Sequence, residues 1–389
     1  MSRCGSVTEA AYLRLASRVA LGKPAMPYVV AAQTAFPEHY YPQAQLLEAL
    51  RGPFCGDRRF DDVKLSRLFE SVQVRGRHLV QPKEWYARRP SFAERNATWT
   101  ESAVRLGATA IARLLERVQL EPRDVDLLAF TTVTGLAVPS IDARLMNRLA
   151  FRASTKRLPL FGLGCVAGAA GVARLSEYLR GSPRSAALLL SVELCSLTLQ
   201  QHDDSVANVI AAALFGDGAA AALLVGDAHP LARASGPRVV ETRSVFFPNT
   251  ERVMGWDIVD SGFKIVLGKG VPQLARSELA PAVRALLAER DLSPADVGTW
   301  IVHPGGPAVI DGVIDALALG PRALDVTRDS LAKVGNLSSA SVLMVLERSL
   351  DDPRPRAGTW GMLLAMGPGF CAELVLLRWD EPSSHERAA

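Results

Sequence analysis

The chain has 389 residues, 49% apolar and 22% charged, with 44 Lys and Arg against 40 Asp and Glu for a formal charge of +4. That balance excludes an intrinsically disordered chain, and 30 Gly and 24 Pro without a period exclude collagen-like or low-complexity structure. A charge this dilute forms no basic footprint for nucleic acid, and a chain this long is expected to divide its core between two units of roughly 150–200 residues.

The first hundred residues are the most charged, with helical patterns at 8–21, 42–50 and 61–71. Arg14 and Arg18 interrupt the first of these, so it lacks the unbroken apolar centre of a secretory leader. The longest apolar runs, 209–215 and 219–225, fall far short of the ~20 residues a membrane span needs. Cys4, Cys55, Cys165, Cys195 and Cys371 are odd in number and include no CxxC pair. Neither a disulfide framework nor a zinc site is implied, and reduced thiols fit a cytoplasmic protein.

From about residue 99 the pattern alternates: helix 101–118, strand 125–132, helix 140–149, strand 158–163, helix 167–180 and strand 186–193. Short, continuously apolar strands between helices predict an α/β protein whose sheets are covered on both faces. A β-rich stretch is expected at 211–225 and 239–247. Helix 271–289, strand 299–303, helices 307–317 and 338–350, and strands 360–366 and 372–378 follow. The second half repeats the first in outline, which divides the chain into units 1–235 and 236–389.

Three short runs carry chemistry. In FGLGCVAGAAG (161–171) a strand passes through Gly164 to Cys165, and a helix of small residues starts at once. That placement puts the sulfur at a helix N-terminus, where unpaired N–H groups favour a thiolate and can face an attacked carbonyl. In WIVHPGGP (300–307), His303 ends an apolar strand before a tight turn, at the strand edge where α/β proteins build sites. In KVGNLSSAS (333–341), Asn336 precedes a helix. Taken singly, a core cysteine, a capped histidine and a helix-capping asparagine are the ordinary readings. Together, a nucleophilic sulfur, an imidazole and an amide donor meet the needs of acyl transfer with decarboxylation. The thiolate takes an acyl group from a thioester, while imidazole and amide hold the enolate that forms as CO₂ leaves.

These runs, together with RGRHLVQP (75–82), ALFGDGA (213–219) and MGPGF (366–370), occur in an order that resembles the type III polyketide synthases, the chalcone and stilbene synthase-like enzymes of the thiolase superfamily. The resemblance covers roughly residues 25–380 and is nearer to bacterial than to plant members. It implies a thiolase-like fold of two βαβαβ halves in five layers, αβαβα, forming a homodimer. It assigns Cys165 as acyl-carrying nucleophile, with His303 and Asn336 as the decarboxylation site. Phe215 matches the aromatic gatekeeper between CoA tunnel and cavity, while Ile265 stands where plant members carry a second gatekeeper Phe. Val133, Val138, Cys195, Thr198, Trp256 and the Pro368 loop fall at cavity positions. Val138 and Pro139 belong to the loop that enters the partner subunit. Trp256 replaces a small glycine and narrows the cyclisation space.

For CoA, the resemblance assigns Lys64, Arg67 and Ala308. Malonyl-CoA and acyl-CoA are then substrates and no cofactor or metal is implied. An acyl carrier protein is an alternative starter donor. The apolar lining favours a fatty or other apolar acyl starter and an alkylpyrone or alkylresorcinol product. The alternatives are a tetrahydroxynaphthalene-type synthase using malonyl units alone and a ketoacyl-ACP synthase III that stops after one condensation. A thiolase would require a second cysteine, for which Cys371 is placed, and a non-catalytic acyl-binding protein would have lost one of the three catalytic residues.

Overall fold

A computed structural model of the chain describes residues 25–55, 60–232, 236–268, 270–351 and 355–380, so Cys4 and the helix expected at 8–21 lie outside the described residues. The first half runs β1 (Tyr28–Ala35), β2 (His39–Pro42), α1 (Gln43–Phe54), α2 (Asp62–Ser71), β3 (Gly76–Leu79), α3 (Lys83–Ala87) and α4 (Phe92–Arg117). It continues with β4 (Leu127–Thr132), α5 (Ile141–Met146), β5 (Lys156–Phe161), α6 (Ala167–Arg180), β6 (Ala186–Leu194), α7 (Val206–Leu214) and β7 (Asp217–Val225). The second half comprises β8 (Arg238–Phe246), β9 (Met254–Val259), β10 (Gly262–Leu267), α8 (Val271–Leu274), α9 (Ala280–Ala288) and β11 (Val297–Val302). It closes with α10 (Pro307–Leu317), α11 (Asp325–Val334), α12 (Ser339–Asp351), β12 (Trp360–Gly367) and β13 (Cys371–Arg378).

Helices α6 and α10 start and stop where the periodicity places them. Helix α4 begins nine residues before its expected start, because the Ser91 side chain accepts from the Glu94 N–H and caps it there. The strand expected from 211 is helical as far as Leu214, since Ser205 caps α7 and an Ala-Ala-Ala-Leu run has high helix propensity. The single helix expected over 271–289 is broken by a π turn, Ala275–Leu279, just before Pro281, which has no N–H to give a regular helix. The β9–β10 hairpin and helix α11 are not anticipated by the sequence pattern.

The strands lie in the order β11-β12-β13-β8-β1-β7-β6-β4-β5, and β1 meets β8 through one residue pair, Tyr28 with Arg238. The two half-sheets therefore repeat each other. β4-β6-β7-β1 and β11-β12-β13-β8 each read parallel, antiparallel, antiparallel. Along β7, Ala220, Ala222 and Leu224 enter one core cluster and Ala219, Ala221 and Leu223 another, as expected of a strand buried on both faces. Along β12, Leu363 and Ala365 join the first of these clusters, while Met362 and Leu364 join a third.

The described residues thus form three cores where length alone suggests two. The middle one contains α6 and α12, which pack against strands of both half-sheets. Helix α4 covers the outer face of one half-sheet, and α9 and α10 cover that of the other, which gives the five layers αβαβα. No helix among the described residues is long and apolar enough to cross a membrane.

Candidate active site

The turn that carries Cys165 is shaped by two glycines on opposite sides of it. Gly164 has φ +55°, and a Cβ there would lie 2.6 Å from Pro368 Cδ. A Cβ on Gly367 would lie 2.7 Å from the Val166 nitrogen, so the 366–370 loop runs directly against the turn. Cys165 follows in a short 3-10 turn that leads into α6, and its Sγ lies 3.7 Å from Ser338 Oγ. Burial pushes the Cys165 thiol up to about 12; the Ser338 contact opposes this and the Glu193 charge adds to it. A helix N-terminus offers a thiolate ~0.3–1 kcal/mol, less than the ~1.4 kcal/mol of a single tenfold change in protonation. Burial thus works against the thiolate that the helix position alone favours.

His303 is placed by β11, its N–H donating to the Leu364 carbonyl of β12 at 3.0 Å. Its side chain is buried, neither ring nitrogen has a hydrogen-bond partner among the described residues, and burial pushes its pKa down to about 3. A neutral imidazole with both nitrogens free is equipped to exchange a proton or donate one N–H to an incoming carbonyl.

Asn336 sits between α11 and α12. Its Oδ1 accepts the Ser338 N–H at 2.8 Å, which leaves Nδ2 as the group available to a substrate; Nδ2 makes only a long 3.5 Å contact, to the Gly305 carbonyl. The preceding Gly335 has φ +75°, and a Cβ there would lie 2.6 Å from the Leu214 carbonyl. Main-chain bonds from Asn336 N–H to Leu214 O (2.9 Å) and from Gly216 N–H to Asn336 O (3.0 Å) tie this loop to the one that carries Phe215.

Cys165, His303, Asn336 and Phe215 line one cavity of about 720 Å³ with Ala308 and Ser71. Phe215 also walls a second cavity of about 600 Å³, which Cys195, Thr198, Trp256 and Ile265 line. The second cavity reaches exposed residues of α1 and of the 83–89 segment. Part of its wall is the β9–β10 hairpin, where Trp256 stands opposite Ile265 and meets Phe263 edge-on. Arg95 and Gln200 fasten that hairpin: Arg95 donates to the Leu197, Leu199 and Ser261 carbonyls, and Gln200 to those of Ser261 and Phe263.

Three expected cavity residues lie elsewhere in this chain. Val133 is buried beside β4, its N–H donating to Glu193 Oε2 at 3.1 Å, and lines neither cavity. Val138 is 98% exposed on the chain's surface. Pro368 supports the Cys165 turn from below, while its neighbours Met366 and Phe370 reach the first cavity. Lys64 and Arg67 are exposed on α2 at helical spacing from the cavity-lining Ser71, so they mark a path of about 10 Å leading away from the site. Cys371 is outside both cavities, with Sγ 3.3 Å from the Pro368 carbonyl. Among the described residues, then, no second cysteine joins Cys165 in its cavity as a thiolase would require.

Sequence reasoning missed the groups that support these residues. Glu193 is fully buried and accepts from Val133, Thr134 and Ser339; burial raises its pKa. Arg77 is buried with its Nη1 2.7 Å from the Phe215 carbonyl and its Nε 3.2 Å from Gln43 Oε1; burial pushes it down to about 10. Both Arg77 and Asp217 stand inside runs already singled out, RGRHLVQP and ALFGDGA, so the signal is present there without a role attached.

The family model described as chalcone and stilbene synthases, N-terminal domain, matches residues 15–229, and its C-terminal counterpart matches residues 238–379. The chain is 51% identical to a 1,3,6,8-tetrahydroxynaphthalene synthase of Streptomyces peucetius subsp. caesius, over 90% of this chain and 93% of that protein. It is 36% identical to a putative chalcone synthase of Bacillus subtilis, over 92% of this chain and all of that protein. Among solved structures, the 1,3,6,8-tetrahydroxynaphthalene synthase of Streptomyces coelicolor, a bacterial type III polyketide synthase, superposes with a TM-score of 0.86 at 33% identity. That superposition covers 91% of this chain and 99% of the other.

Proposed function

The chain belongs to the chalcone and stilbene synthase family of type III polyketide synthases, and from that premise we propose that it takes malonyl-CoA as both starter and extender and closes the product to a tetrahydroxynaphthalene-type compound. The observation that carries this reading is the 51% identity, over nine-tenths of the chain, to a protein named for that synthesis. A second relative of that name is 34% identical over 88% of the chain. Trp256 supports it physically. An indole in the wall of the second cavity, paired across the hairpin with Ile265, occupies volume that a long acyl starter would need.

The apolar lining alone favours a fatty acyl starter and an alkylpyrone or alkylresorcinol. The relatives favour the malonyl-only alternative, because an apolar wall of this bulk excludes a starter as readily as it solvates one.

In this reading the Cys165 sulfur attacks the thioester carbonyl as its proton passes through His303 to the departing CoA sulfur. An S–C bond forms, another breaks, and no persistent imidazolium is required. The next malonyl thioester places its carbonyl oxygen against the His303 ring N–H and Asn336 Nδ2. Loss of CO₂ leaves an electron pair as the enolate, whose charge these two donors stabilise. The enolate carbon attacks the acyl group on Cys165, a C–C bond forms, and the sulfur is released for reloading. Lys64, Arg67 and Ala308 line the approach for CoA, with the two cations meeting its phosphates.

The test is incubation of the purified protein with uniformly labelled malonyl-CoA, alone and with a panel of unlabelled acyl-CoAs, read by mass spectrometry. The expected product forms from malonyl-CoA alone and is labelled at every carbon. A product that forms only with an acyl-CoA and carries its unlabelled chain would overturn the reading.

A further inference from the structure

The second cavity holds polar groups that the Cys165, His303 and Asn336 set leaves unused. Tyr86 of α3 and Ser196, just after β6, both line it. The Tyr86 hydroxyl lies 2.5 Å from Ser196 Oγ, which in turn donates to Asp217 Oδ2 at 2.5 Å. Asp217 is fully buried behind them and is fixed by two main-chain donors, Ser196 N–H at 2.8 Å and Val80 N–H at 2.7 Å. A carboxylate screened from solvent is thus connected by two hydroxyls to a chamber walled by Trp256, Ile265 and Phe215.

The chemistry a poly-β-keto chain undergoes there needs such a connection. Each methylene between two carbonyls has weakly acidic C–H bonds, and ring closure moves a proton from carbon to oxygen. We propose that Tyr86, Ser196 and Asp217 form a proton relay that catalyses ring closure of the poly-β-keto intermediate in the second cavity. This rests on a polyketide chain being made at Cys165, whichever thioester starts it. Ser196 Oγ takes the methylene proton while passing its own to Asp217, and the C–H electron pair becomes the enolate. The enolate carbon attacks a carbonyl within the same chain, forming the C–C bond, and the new alkoxide oxygen takes the Tyr86 proton. Asp217 then returns its proton through Ser196 to Tyr86, so the relay ends as it began.

The surroundings suit both roles. Burial lifts Asp217 to about 6, close to the neutral range where a general base works best, and burial first and the Asp217 charge next hold the Tyr86 hydroxyl protonated. Arg77 lines the same cavity and supplies a positive charge beside Asp217, which favours an enolate.

The experiment measures CoA release and the ratio of ring-closed to open or hydrolysed product for Tyr86→Phe, Ser196→Ala and the double variant. It uses the full chain and whichever thioesters wild type turns over, so the starter question and this one are answered separately. Expected are CoA release within about twofold of wild type and a ring-closed fraction lowered at least tenfold in each single variant. The double variant is expected to be no worse than either single one, since both interrupt one relay. Unchanged product ratios, or two losses that simply multiply, would overturn the proposal. So would loss of CoA release in both single variants, which would place the pair in folding or extension.

Discussion

Around Cys165 the polar groups are positioned by main chain: the Asn336 amide by the Ser338 N–H, His303 by the β11–β12 ladder, and Cys165 by the turn into α6. Around Tyr86 the two hydroxyls are positioned through side-chain bonds between segments distant in sequence, and only Asp217 at the end of the chain is held by main-chain donors. The first arrangement keeps its donors unpaired and ready for substrate, as the two bare nitrogens of His303 demonstrate. The second has its donors already in use and can act only by passing protons along. In the proposed reading one chamber binds charge as it develops, and the other moves protons.

The largest effect that would break this contrast is at Cys165. Cys165→Ala is expected to lower product formation by about 10³-fold or more, because no other thiol among the described residues lines that cavity. Substantial residual turnover, measured as CoA release, would remove the first chamber from the chemistry. His303→Gln and Asn336→Leu should each cost about 10²–10³-fold in malonyl decarboxylation, assayed as labelled CO₂, the range for removal of one oxyanion donor.

Next in size is Gly335→Ala. A Cβ at φ +75°, 2.6 Å from the Leu214 carbonyl, should destabilise the fold by ~1–3 kcal/mol and displace Asn336, lowering decarboxylation more than the ring-closed fraction. Calorimetry and product analysis would check the two halves of that expectation. Trp256→Gly acts on the other chamber. It should leave decarboxylation near wild type and improve use of bulky acyl-CoA starters by about tenfold, seen in competition with malonyl-CoA.

The smallest effect compares the two chambers through protons. His303 falls from 6.5 to about 3 on folding, so the unfolded chain binds more protons between those values and stability rises with pH across that window. Asp217 rises from 3.8 to about 6, so the folded chain binds more protons there and stability falls as pH climbs from about 4 to 6. Melting temperatures from pH 4 to 6.5 should therefore flatten or reverse their rise in His303→Gln. In Asp217→Asn they should climb more steeply than in wild type.

The two chambers also differ in how far the sequence reveals them. Cys165, His303 and Asn336 each sit in a short run where glycines and apolar periodicity announce a junction; singly each reads as a core or capping residue, and the three together with the family resemblance point to a site. Helix-covered strands are legible because α6, β6, α10 and β12 follow plain periodicities, whereas the five-layer order comes from the family resemblance. Tyr86 and Ser196 are 110 residues apart, and no local pattern says that their hydroxyls meet. The β9–β10 hairpin escapes because its stability comes from Arg95 and Gln200, far from the hairpin itself. Val138 is read through the family alone, since a residue 98% exposed on the surface leaves no trace in its own chain's core.

Phe215 has both ends of its peptide occupied: its N–H donates to Ala211, its carbonyl accepts from Arg77, and the next residue is bonded to Asn336. A partition hung this way has a fixed hinge post. Its frame cannot swing without dragging the Asn336 amide out of place, so if the proposed synthesis sends a growing chain past Phe215, the ring's two side-chain torsions would admit it. Such an opening would be fast, on side-chain rather than loop timescales, and would leave the Asn336 loop in place.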